Sequence, residues 1–254
     1  MEKNKNKDTY QYPTEEVTLP SKGLLYPKDS PLSKGIISVK YMTAKEEDIL
    51  TNQNYIKNGT VIDKLLKSLI VTDFNYNDLL TGDKNAILVA ARILAYGAEY
   101  DFKYDGQEAS VDLSDVKDKE LDESLIVNNK NEFNFKLPFS KKQITFKLLT
   151  HSDDMKIENE IKGLKKINKN TNAETTTRLK HIILSVDGDY TPNIVREFVD
   201  NQLLARDARE LRKYILRVAP DIDLNVDLTL SDGTVVEDVS LPIGVNFFWP
   251  DVEI

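Results

Sequence analysis

The most apolar stretch of the chain runs from Thr81 to Gly97 and predicts a helix. From Ala86 to Ala95 nearly every residue is apolar, so apolar side chains would cover almost the whole circumference of this helix. Helices of this kind are usually buried, with other elements packed on several sides. Thr81 or Asp83 is expected to cap the first turn, and Gly97 is expected to end the helix.

Alternating apolar and polar residues, separated by turn residues, predict three hairpins. In chain order they are 100–104 and 109–113 around Asp105-Gly106, 133–137 and 144–148 around Ser140-Lys141-Lys142, and 222–230 and 235–245 around Ser231-Asp232-Gly233. The first and third hairpins each follow a predicted helix, and both contain Val-Asp-Leu, at 111–113 and 226–228. This recurrence hints at a weak internal duplication, for which a tripeptide alone is poor evidence. A further strand is predicted at 35–41.

Helices are predicted where apolar residues recur every three or four positions. Thr43 and Glu46 form a capping box at the start of one, which ends at Asn58-Gly59. Others are expected at 60–70, 152–167, 179–186, 191–199 and 207–218. Together the elements predict an α+β protein, a helical bundle around the buried central helix with β-hairpins after two of the helices. Residues 1–14 are interpreted as a disordered arm, and residues 15–131 and 132–254 as two parts or as one compact domain.

The composition excludes several classes of site and partner. The 254 residues are 40% hydrophobic and 30% charged, with a net charge of −8, and this acidity disfavours a general nucleic-acid coat. Without cysteine the chain has neither a disulfide nor a thiolate metal site. No apolar run approaches the roughly 20 residues of a membrane span. We therefore expect a cytoplasmic protein without membrane contact.

Little in the sequence points to catalysis. The two histidines, His151 and His181, lack metal-ligand spacing, and there is no glycine-rich phosphate loop, Gly-x-Ser-x-Gly motif or cysteine nucleophile. Adjacent acids such as Asp153-Asp154 are interpreted as partners of a helix dipole. We predict no catalytic residue, metal, cofactor or small-molecule substrate. A dispersed carboxylate site leaves no local signature and is kept as an alternative.

Two terminal groups of residues are candidates for binding another protein. The first group lies in an extended segment rich in proline and glycine, interpreted as a strand along a partner's edge and not as a core element. The second is an aromatic cluster that either packs back on its own hairpin or meets a partner. The members are Leu19, Pro20, Leu24 and Tyr26 in the first group, and Phe247, Phe248 and Trp249 in the second.

A third candidate is a row of cations that step by three and four residues and so share one side of a helix. They are Arg206, Arg209, Lys213 and Arg217, called the basic face below. One interpretation is a solvated face paired with the chain's own acids. Another is a surface that docks on an acidic region of another subunit. A regulatory protein that binds nucleic acid through residues 206–217 is the alternative function, disfavoured because the rest of the chain repels phosphate.

Five segments, taken in order, resemble a known family. They are Leu19-Pro20-Ser21-Lys22-Gly23 with Tyr26-Pro27, then Met42 to Leu50, Gly82 to Ile93, Asp207 to Ile215, and Leu241-Pro242-Ile243 with Phe247-Phe248-Trp249-Pro250. Over residues 17–250 the set resembles the baseplate hub and hub-assembly family of T-even-like contractile-tailed bacteriophages. The resemblance implies a non-enzymatic tail protein that binds other baseplate hub proteins. It also implies a location in the virion baseplate, in the host cytoplasm during assembly, or in both.

The hairpins depart from the pattern of that family. Relatives often carry Cys-x-x-Cys-like knuckles that suggest zinc ribbons, whereas residues 102–106 and 230–233 here contain no metal ligand of that type. The resemblance therefore implies degenerate zinc ribbons without zinc. Apolar and aromatic side chains would have to stabilise these hairpins in place of the metal.

Overall fold

The computed structural model describes residues 13–126, 129–168, 173–230 and 233–248. Helices and small antiparallel sheets occur together, which confirms the predicted α+β class. The strands are β1 (Thr14–Thr18), β2 (Ile36–Lys40), β3 (Glu99–Tyr104), β4 (Gln107–Asp112), β5 (Phe133–Lys136), β6 (Gln143–Phe146), β7 (Ile183–Val186), β8 (Asn225–Thr229) and β9 (Val235–Ser240). The α-helices are α1 (Ala44–Leu50), α2 (Gln53–Lys57), α3 (Val61–Leu69), α4 (Thr81–Tyr96), α5 (His151–Ile167), α6 (Glu174–Ile182), α7 (Pro192–Glu197), α8 (Ala205–Val218) and α9 (Val245–Phe248).

The three predicted hairpins are confirmed as antiparallel pairs. They are β3–β4, β5–β6 and β8–β9, and β7 extends the second of them to three strands. The predicted strand near residue 35 is β2, and it pairs with β1 so that Val17 lies opposite Ile37. The first and third hairpins also pack together through Ala109, Leu228 and Val239. The arm predicted at 1–14 lies almost wholly outside the described residues, although Thr14 already belongs to β1.

The helix predicted from Thr81 onwards is α4, and most of its first twelve residues are buried. The capping prediction is wrong, because neither candidate side chain serves as the N-cap. Leu80 occupies that position, while the Thr81 hydroxyl donates to the Leu149 carbonyl at 3.2 Å and Asp83 accepts hydrogen bonds from a distant segment. Gly97 ends the helix with a φ of 87°, a conformation that favours glycine. An arrangement of the other helices as a bundle around α4 stays a prediction.

Two helix predictions are corrected in their extent. The helix predicted from Thr43 to Gly59 is split at Thr51 and Asn52 into α1 and α2, because the Asn52 side chain accepts amide hydrogen bonds and starts a new helix. The stripe predicted at 179–186 is α6 followed by β7. Its apolar spacing is compatible with a helix, but Ile183–Val186 pairs with β6 and completes the sheet.

The capping box predicted at Thr43 and Glu46 is confirmed. Glu46 is buried and also accepts hydrogen bonds from Lys40 and Ser68, each at 2.8 Å. Burial alone would raise its pKa, but these donors outweigh that effect and lower the pKa from 4.5 to about 2. The carboxylate therefore stabilises the fold only while it is ionised.

We expect Glu46→Gln to weaken the acid sensitivity of the protein. Because the folded-state pKa of Glu46 lies below the unfolded value, its stabilisation is present above pH 4.5 and is lost as the pH falls through about 2. Urea unfolding at a series of pH values should show a steeper fall in the free energy of unfolding for the wild type than for Glu46→Gln. Glu108→Gln, at a side chain that is 72% exposed, is the control and should keep the wild-type slope. Equal slopes for all three proteins would contradict this assignment.

Two parts of the chain, residues 14–112 (the first repeat) and residues 133–240 (the second repeat), have a similar order of elements: a pair of strands, several helices and a hairpin, with β7 present in the second repeat. Each repeat starts with an antiparallel pair, β1–β2 or β5–β6, and the next helix opens with a capping box. In the first repeat Lys40 pairs with the box carboxylate of Glu46 at 2.8 Å. In the second, Lys147 pairs with that of Asp153 at 2.7 Å. The same ion pair therefore recurs at the same place.

A second set of contacts recurs where a turn meets a helix. Asp83 and Asp207 are the third residues of α4 and α8, and they accept hydrogen bonds from the main-chain N–H groups of Ser21 and Ser140, each at 2.9 Å. The lysine after each of these serines has a positive φ, 51° in one turn and 61° in the other. These recurrences support an internal duplication, but the tripeptide that suggested it is not equivalent, since 111–113 stands at the end of the second strand of its hairpin and 226–228 lies in the first strand.

Candidate interaction surfaces

The predicted partner-binding segment at residues 19–26 lies in the core of its own chain. Leu19 is fully buried, Tyr26 is 3% exposed, Pro20 is buried and Leu24 is half-buried. The expectation that this segment is not a core element is therefore wrong. In this conformation Leu19, Pro20 and Tyr26 offer almost no surface to another subunit.

A buried carboxylate holds this segment in place. Asp83 accepts hydrogen bonds from the Ser21 amide at 2.9 Å, from the Ser21 hydroxyl at 2.7 Å and from the Tyr26 hydroxyl at 2.5 Å. The Tyr26 oxygen in turn accepts from the Leu80 amide at 3.0 Å. Burial raises the pKa of Asp83, and the three donors oppose that rise. Asp83 therefore joins the segment to the start of α4.

The C-terminal aromatic residues pack back on the chain. Phe247 and Phe248 are fully buried, whereas Trp249 lies outside the described residues. The ring of Phe247 meets Tyr100 edge-on, with centroids 4.9 Å apart. Phe247 therefore packs back on the chain and contacts the first hairpin. Packing of this aromatic cluster on its own hairpin stays a prediction.

Arg92 is a structural residue that the sequence analysis did not identify. It is 3% exposed and donates hydrogen bonds to three main-chain carbonyls, those of Phe247 at 2.9 Å, Gly97 at 3.0 Å and Glu99 at 3.3 Å. Its guanidinium also lies 5.1 Å from the ring centre of Tyr96. The only signal in the sequence was a single arginine within an apolar helix. Arg92 fastens the C-terminal residues to the end of α4.

Replacing Arg92 by methionine is expected to release the residues around Phe247. The carbonyls would lose donors in a buried place, at a cost of about 2–4 kcal/mol in the free energy of unfolding. Hydrogen–deuterium exchange should show faster exchange at 245–248 in Arg92→Met. Arg196→Met, at an exposed position of α7, is the matched control. Unchanged protection of 245–248 in the Arg92 variant would refute the role assigned to this side chain.

The basic face is exposed along its whole length on α8. Arg206, Arg209, Lys213 and Arg217 all face solvent, while Ala208, Leu211 and Val218 form the buried side of the same helix. Two exposed apolar side chains occur in the same part of the chain, Leu204 at the N-cap of α8 and Leu216 near its end. Leu204 is 46% exposed and Leu216 is 72% exposed. The surface therefore combines positive charge with apolar area, as protein interfaces do.

Among the described residues, groups of the same chain lie against three of the four cations of the basic face. Lys213 pairs with Glu210 at 3.0 Å, and the Arg206 guanidinium lies 4.5 Å from the ring centre of Phe139. Arg217 lines an open depression of about 540 Å³ together with the acidic loop Glu120–Glu123. The interpretation as a solvated face paired with acids thus describes the C-terminal end of this surface better than its N-terminal end.

Asp63 is the centre of a partly buried polar cluster near the start of α5. Asp63 accepts from Lys84 at 2.6 Å and from the Tyr76 hydroxyl at 3.1 Å, and His151 lies beside it with a pKa lowered by burial. In the parts of the chain that the structure describes, no group of three or more His, Cys, Asp or Glu residues could hold a metal ion. Among the same residues, no helix is both long and apolar enough to cross a membrane.

Comparison with known proteins agrees with the resemblance noted above. Residues 13–249, nearly the whole chain, match the family described as T4 bacteriophage base plate protein. No curated protein and no solved structure matches significantly. Because the family match covers so much of the sequence, the chain belongs to the T4 bacteriophage base plate protein family.

Proposed function

We propose that the protein is a non-enzymatic component of the phage baseplate hub that acts by binding other hub subunits. The observation that carries this proposal is the family match over residues 13–249. A base plate protein has its place in the phage tail, and its partners are other phage proteins. The narrower claim, that the protein belongs to the hub of the baseplate, rests on the resemblance of the five ordered segments.

The use of carboxylates within the fold supports a structural role. Glu46, Asp83, Asp153 and Asp207 are buried, and each accepts hydrogen bonds from its own chain near the start of a helix. Buried acids that are saturated in this way fix turns and helices and have little capacity left for proton transfer. We accordingly propose that the dispersed carboxylate site considered from the sequence is absent and that the hairpins are degenerate zinc ribbons held by apolar contacts.

The basic face is the surface through which we propose that hub subunits are bound. Positive charge beside Leu204 and Leu216 suits a partner surface that carries carboxylates around an apolar centre. Deleting residues 247–254 would not probe binding cleanly, because Phe247 and Phe248 belong to the core. Substitutions of the exposed cations on α8 do not remove core side chains and are the better test of binding.

A stop codon placed early in the gene tests the proposed function directly. Cells infected by the mutant phage should accumulate incomplete baseplates, which sedimentation and electron microscopy would resolve. Expression of the wild-type protein from a plasmid should restore complete tails. Normal baseplates in the absence of the protein would overturn the proposal. Mass spectrometry of purified virions and of assembly intermediates from the host cytoplasm would then show whether the protein is present in the finished virion, during assembly, or in both.

A further inference from the structure

The first and third hairpins leave a groove between two of their strands. Among the described residues β4 and β8 lie side by side, but each belongs to its own two-stranded sheet, and no ladder of hydrogen bonds joins them. The groove between them has a volume of about 420 Å³ and is called the hairpin groove below. It is lined by residues 110–112 of β4, by residues 225–227 of β8, and by Asp115 and Thr229.

The lining indicates that the hairpin groove runs along the edges of the two strands. Successive side chains of a strand point to opposite faces of its sheet. Residues 110, 111 and 112 line the groove in succession, and so do residues 225, 226 and 227. The groove therefore reaches both faces of each strand, as a groove at a strand edge does.

The main chain of β4 turns unused hydrogen-bonding groups towards the hairpin groove. The Leu113 amide donates to the Ala98 carbonyl at 2.8 Å, and residues that exchange hydrogen bonds with the partner strand alternate along an antiparallel pair. Val111 therefore bonds to β3, whereas the N–H and C=O groups of Ser110 point away from β3. Neither group of Ser110 has a main-chain partner among the described residues. An unpaired edge of this kind is a template for another strand.

β8 forms the other wall of the groove and also has a free edge. The Leu230 amide donates to the Thr234 carbonyl at 2.9 Å, so by the same alternation the main-chain groups of Asp227 point away from β9. The β8–β9 ladder shifts register after Val226, whereas the β3–β4 ladder is regular at every pair. Because a register shift disturbs the twist and pairing of a strand, β4 is the better edge for an added strand.

The side chains along the hairpin groove define the segment that would fit it. Asp112, Asp115 and Asp227 are exposed and make the groove acidic, and none of the described residues that line it is basic. Val111 and Val226 are half-buried and pack on the apolar cluster between the two hairpins. A strand in the groove would therefore meet carboxylates on one face and valines on the other. The side chains of such a strand should alternate between cationic and apolar.

We propose that the hairpin groove binds an extended segment of another protein, in which lysine or arginine alternates with apolar residues, as a third strand beside β4. Main-chain hydrogen bonds to Ser110 give the contact its geometry, and the aspartates select a basic segment. The same carboxylates discourage the edge from pairing with other chains, which is a hazard of any exposed edge. The inference goes beyond the proposed function, because this surface lies on the hairpins and not on α8.

Charge favours a basic segment of a partner over the other candidate occupants. Residues 249–254 of this chain contain Asp251 and Glu253 and no basic residue, so the aspartates of the groove would repel them. A nucleic acid would be repelled in the same way, because its phosphates are anionic. Residues 1–12 contain Lys3, Lys5 and Lys7, but asparagine and not an apolar residue stands between these lysines. The chain's own N-terminal segment is therefore the poorer fit.

A synthetic peptide tests the proposal on the full-length protein. The probe is a fluorescent peptide of about eight residues, within the usual length of a strand, in which lysine and valine alternate. Fluorescence anisotropy measures its binding, and replacing its lysines by glutamate should weaken that binding at least ten-fold. Two further versions carry N-methyl groups on all valines or on all lysines. Because only alternate N–H groups of a strand face β4, one of these two versions should also bind at least ten-fold more weakly.

Two variants and a matched control locate the site on the protein. Ser110→Pro removes an N–H group that points away from β3, so the hairpin should keep its pairing while peptide binding weakens at least ten-fold. Asp101→Pro makes the same change on the opposite edge of the hairpin, directly across from Ser110, and should bind like the wild type. Asp112→Asn/Asp115→Asn/Asp227→Asn removes the charge but keeps the side-chain oxygens that accept from main-chain amides, and it should bind at least ten-fold more weakly. Thermal unfolding checks that every variant is folded.

Several outcomes would overturn the proposal. They are a wild type that does not bind the lysine–valine peptide, equally tight binding of the glutamate peptide, and undiminished binding of both N-methylated peptides or by Ser110→Pro. A variant that lacks residues 1–12 should bind the peptide like the wild type. Binding at least ten-fold tighter in that variant would show that the chain's own N-terminal segment occupies the groove, and would overturn the proposal as well. The stop-codon experiment measures tail assembly and decides the proposed function independently of the peptide result.

Discussion

Replacing Gly82 by alanine is expected to destabilise the protein strongly, although the change adds only one methyl group to α4. The new Cβ atom would lie 1.9 Å from the carbonyl oxygen of Pro220 and 2.9 Å from its carbonyl carbon. Both atoms belong to the main chain, so α4 and the segment after α8 must separate. We expect a loss of more than about 3 kcal/mol in the free energy of unfolding, measured by urea denaturation.

Gly163 provides a matched control for this experiment. It lies inside α5, and a Cβ atom there would meet nothing within 4 Å. Because alanine is a better helix former than glycine, Gly163→Ala should stabilise the protein by about 0.5–1 kcal/mol. Similar stabilities for the Gly82 and Gly163 variants would show that the close approach of Pro220 to α4 does not occur in solution.

Asp83→Ala is expected to detach the segment at 19–26 from the core. The Ser21 amide and the hydroxyls of Ser21 and Tyr26 would lose their acceptor in a buried place. Unsatisfied buried donors of this kind cost about 1–3 kcal/mol each, so we expect a total loss on the order of 3–5 kcal/mol. Urea denaturation would give the loss, and hydrogen–deuterium exchange would show whether residues 19–26 become less protected.

Two further aspartate variants make the interpretation specific. Asp73→Ala removes a carboxylate from an exposed position and should change the stability by less than about 0.5 kcal/mol. Asp207→Ala removes the equivalent group of the second repeat, which accepts two amide hydrogen bonds and no buried tyrosine, so its effect should lie between the other two. If Asp83→Ala resembled Asp73→Ala, the buried network would not contribute to stability.

Local features of the fold could be predicted from the sequence because their causes are local. The apolar run from Ala86 to Ala95 is sufficient for a helix, and Asp105-Gly106 between alternating residues is sufficient for a hairpin. The capping box of Thr43 and Glu46 depends only on a spacing of three residues. The prediction of one helix over 179–186 was wrong because the structure there is set by a distant contact. The spacing of Leu179, Ile182, Ile183 and Val186 fits one helix, and only pairing with distant β6 makes the last residues a strand.

The segment at 19–26 was misjudged because its partner is remote. Nothing near Ser21 shows that Asp83, 62 residues away, would accept its hydrogen bonds in the core. The duplication, in contrast, did leave a usable signal. Leu79-Leu80-Thr81-Gly82-Asp83 corresponds to Leu203-Leu204-Ala205-Arg206-Asp207, and Leu19-Pro20-Ser21-Lys22 corresponds to Leu137-Pro138-Phe139-Ser140-Lys141. Comparing these stretches would have revealed the repeat that the Val-Asp-Leu tripeptide placed incorrectly.

Among the candidate surfaces, too, features with local causes could be predicted and features that depend on distant contacts could not. That Arg206, Arg209, Lys213 and Arg217 share one exposed side of a helix follows from spacing alone and is confirmed. The Phe247 carbonyl accepts a hydrogen bond from Arg92, 155 residues earlier in the chain, and no periodicity in the sequence links residues so far apart. The sequence of a terminal aromatic segment is the same whether its side chains belong to the core or bind a partner.

Residues near the C-terminus contact α4, and this affects how the chain folds during synthesis. A ribosome releases the first repeat long before residues 220–248 have been synthesised. Until then Arg92 lacks the Phe247 carbonyl, and the groove beside Gly82 is empty of Pro220. Incomplete chains with exposed surface are prone to misassociate. A message truncated after α8 would therefore yield a product whose α4 still lacks the contacts of Pro220 and Phe247, and host proteases would be expected to remove it quickly.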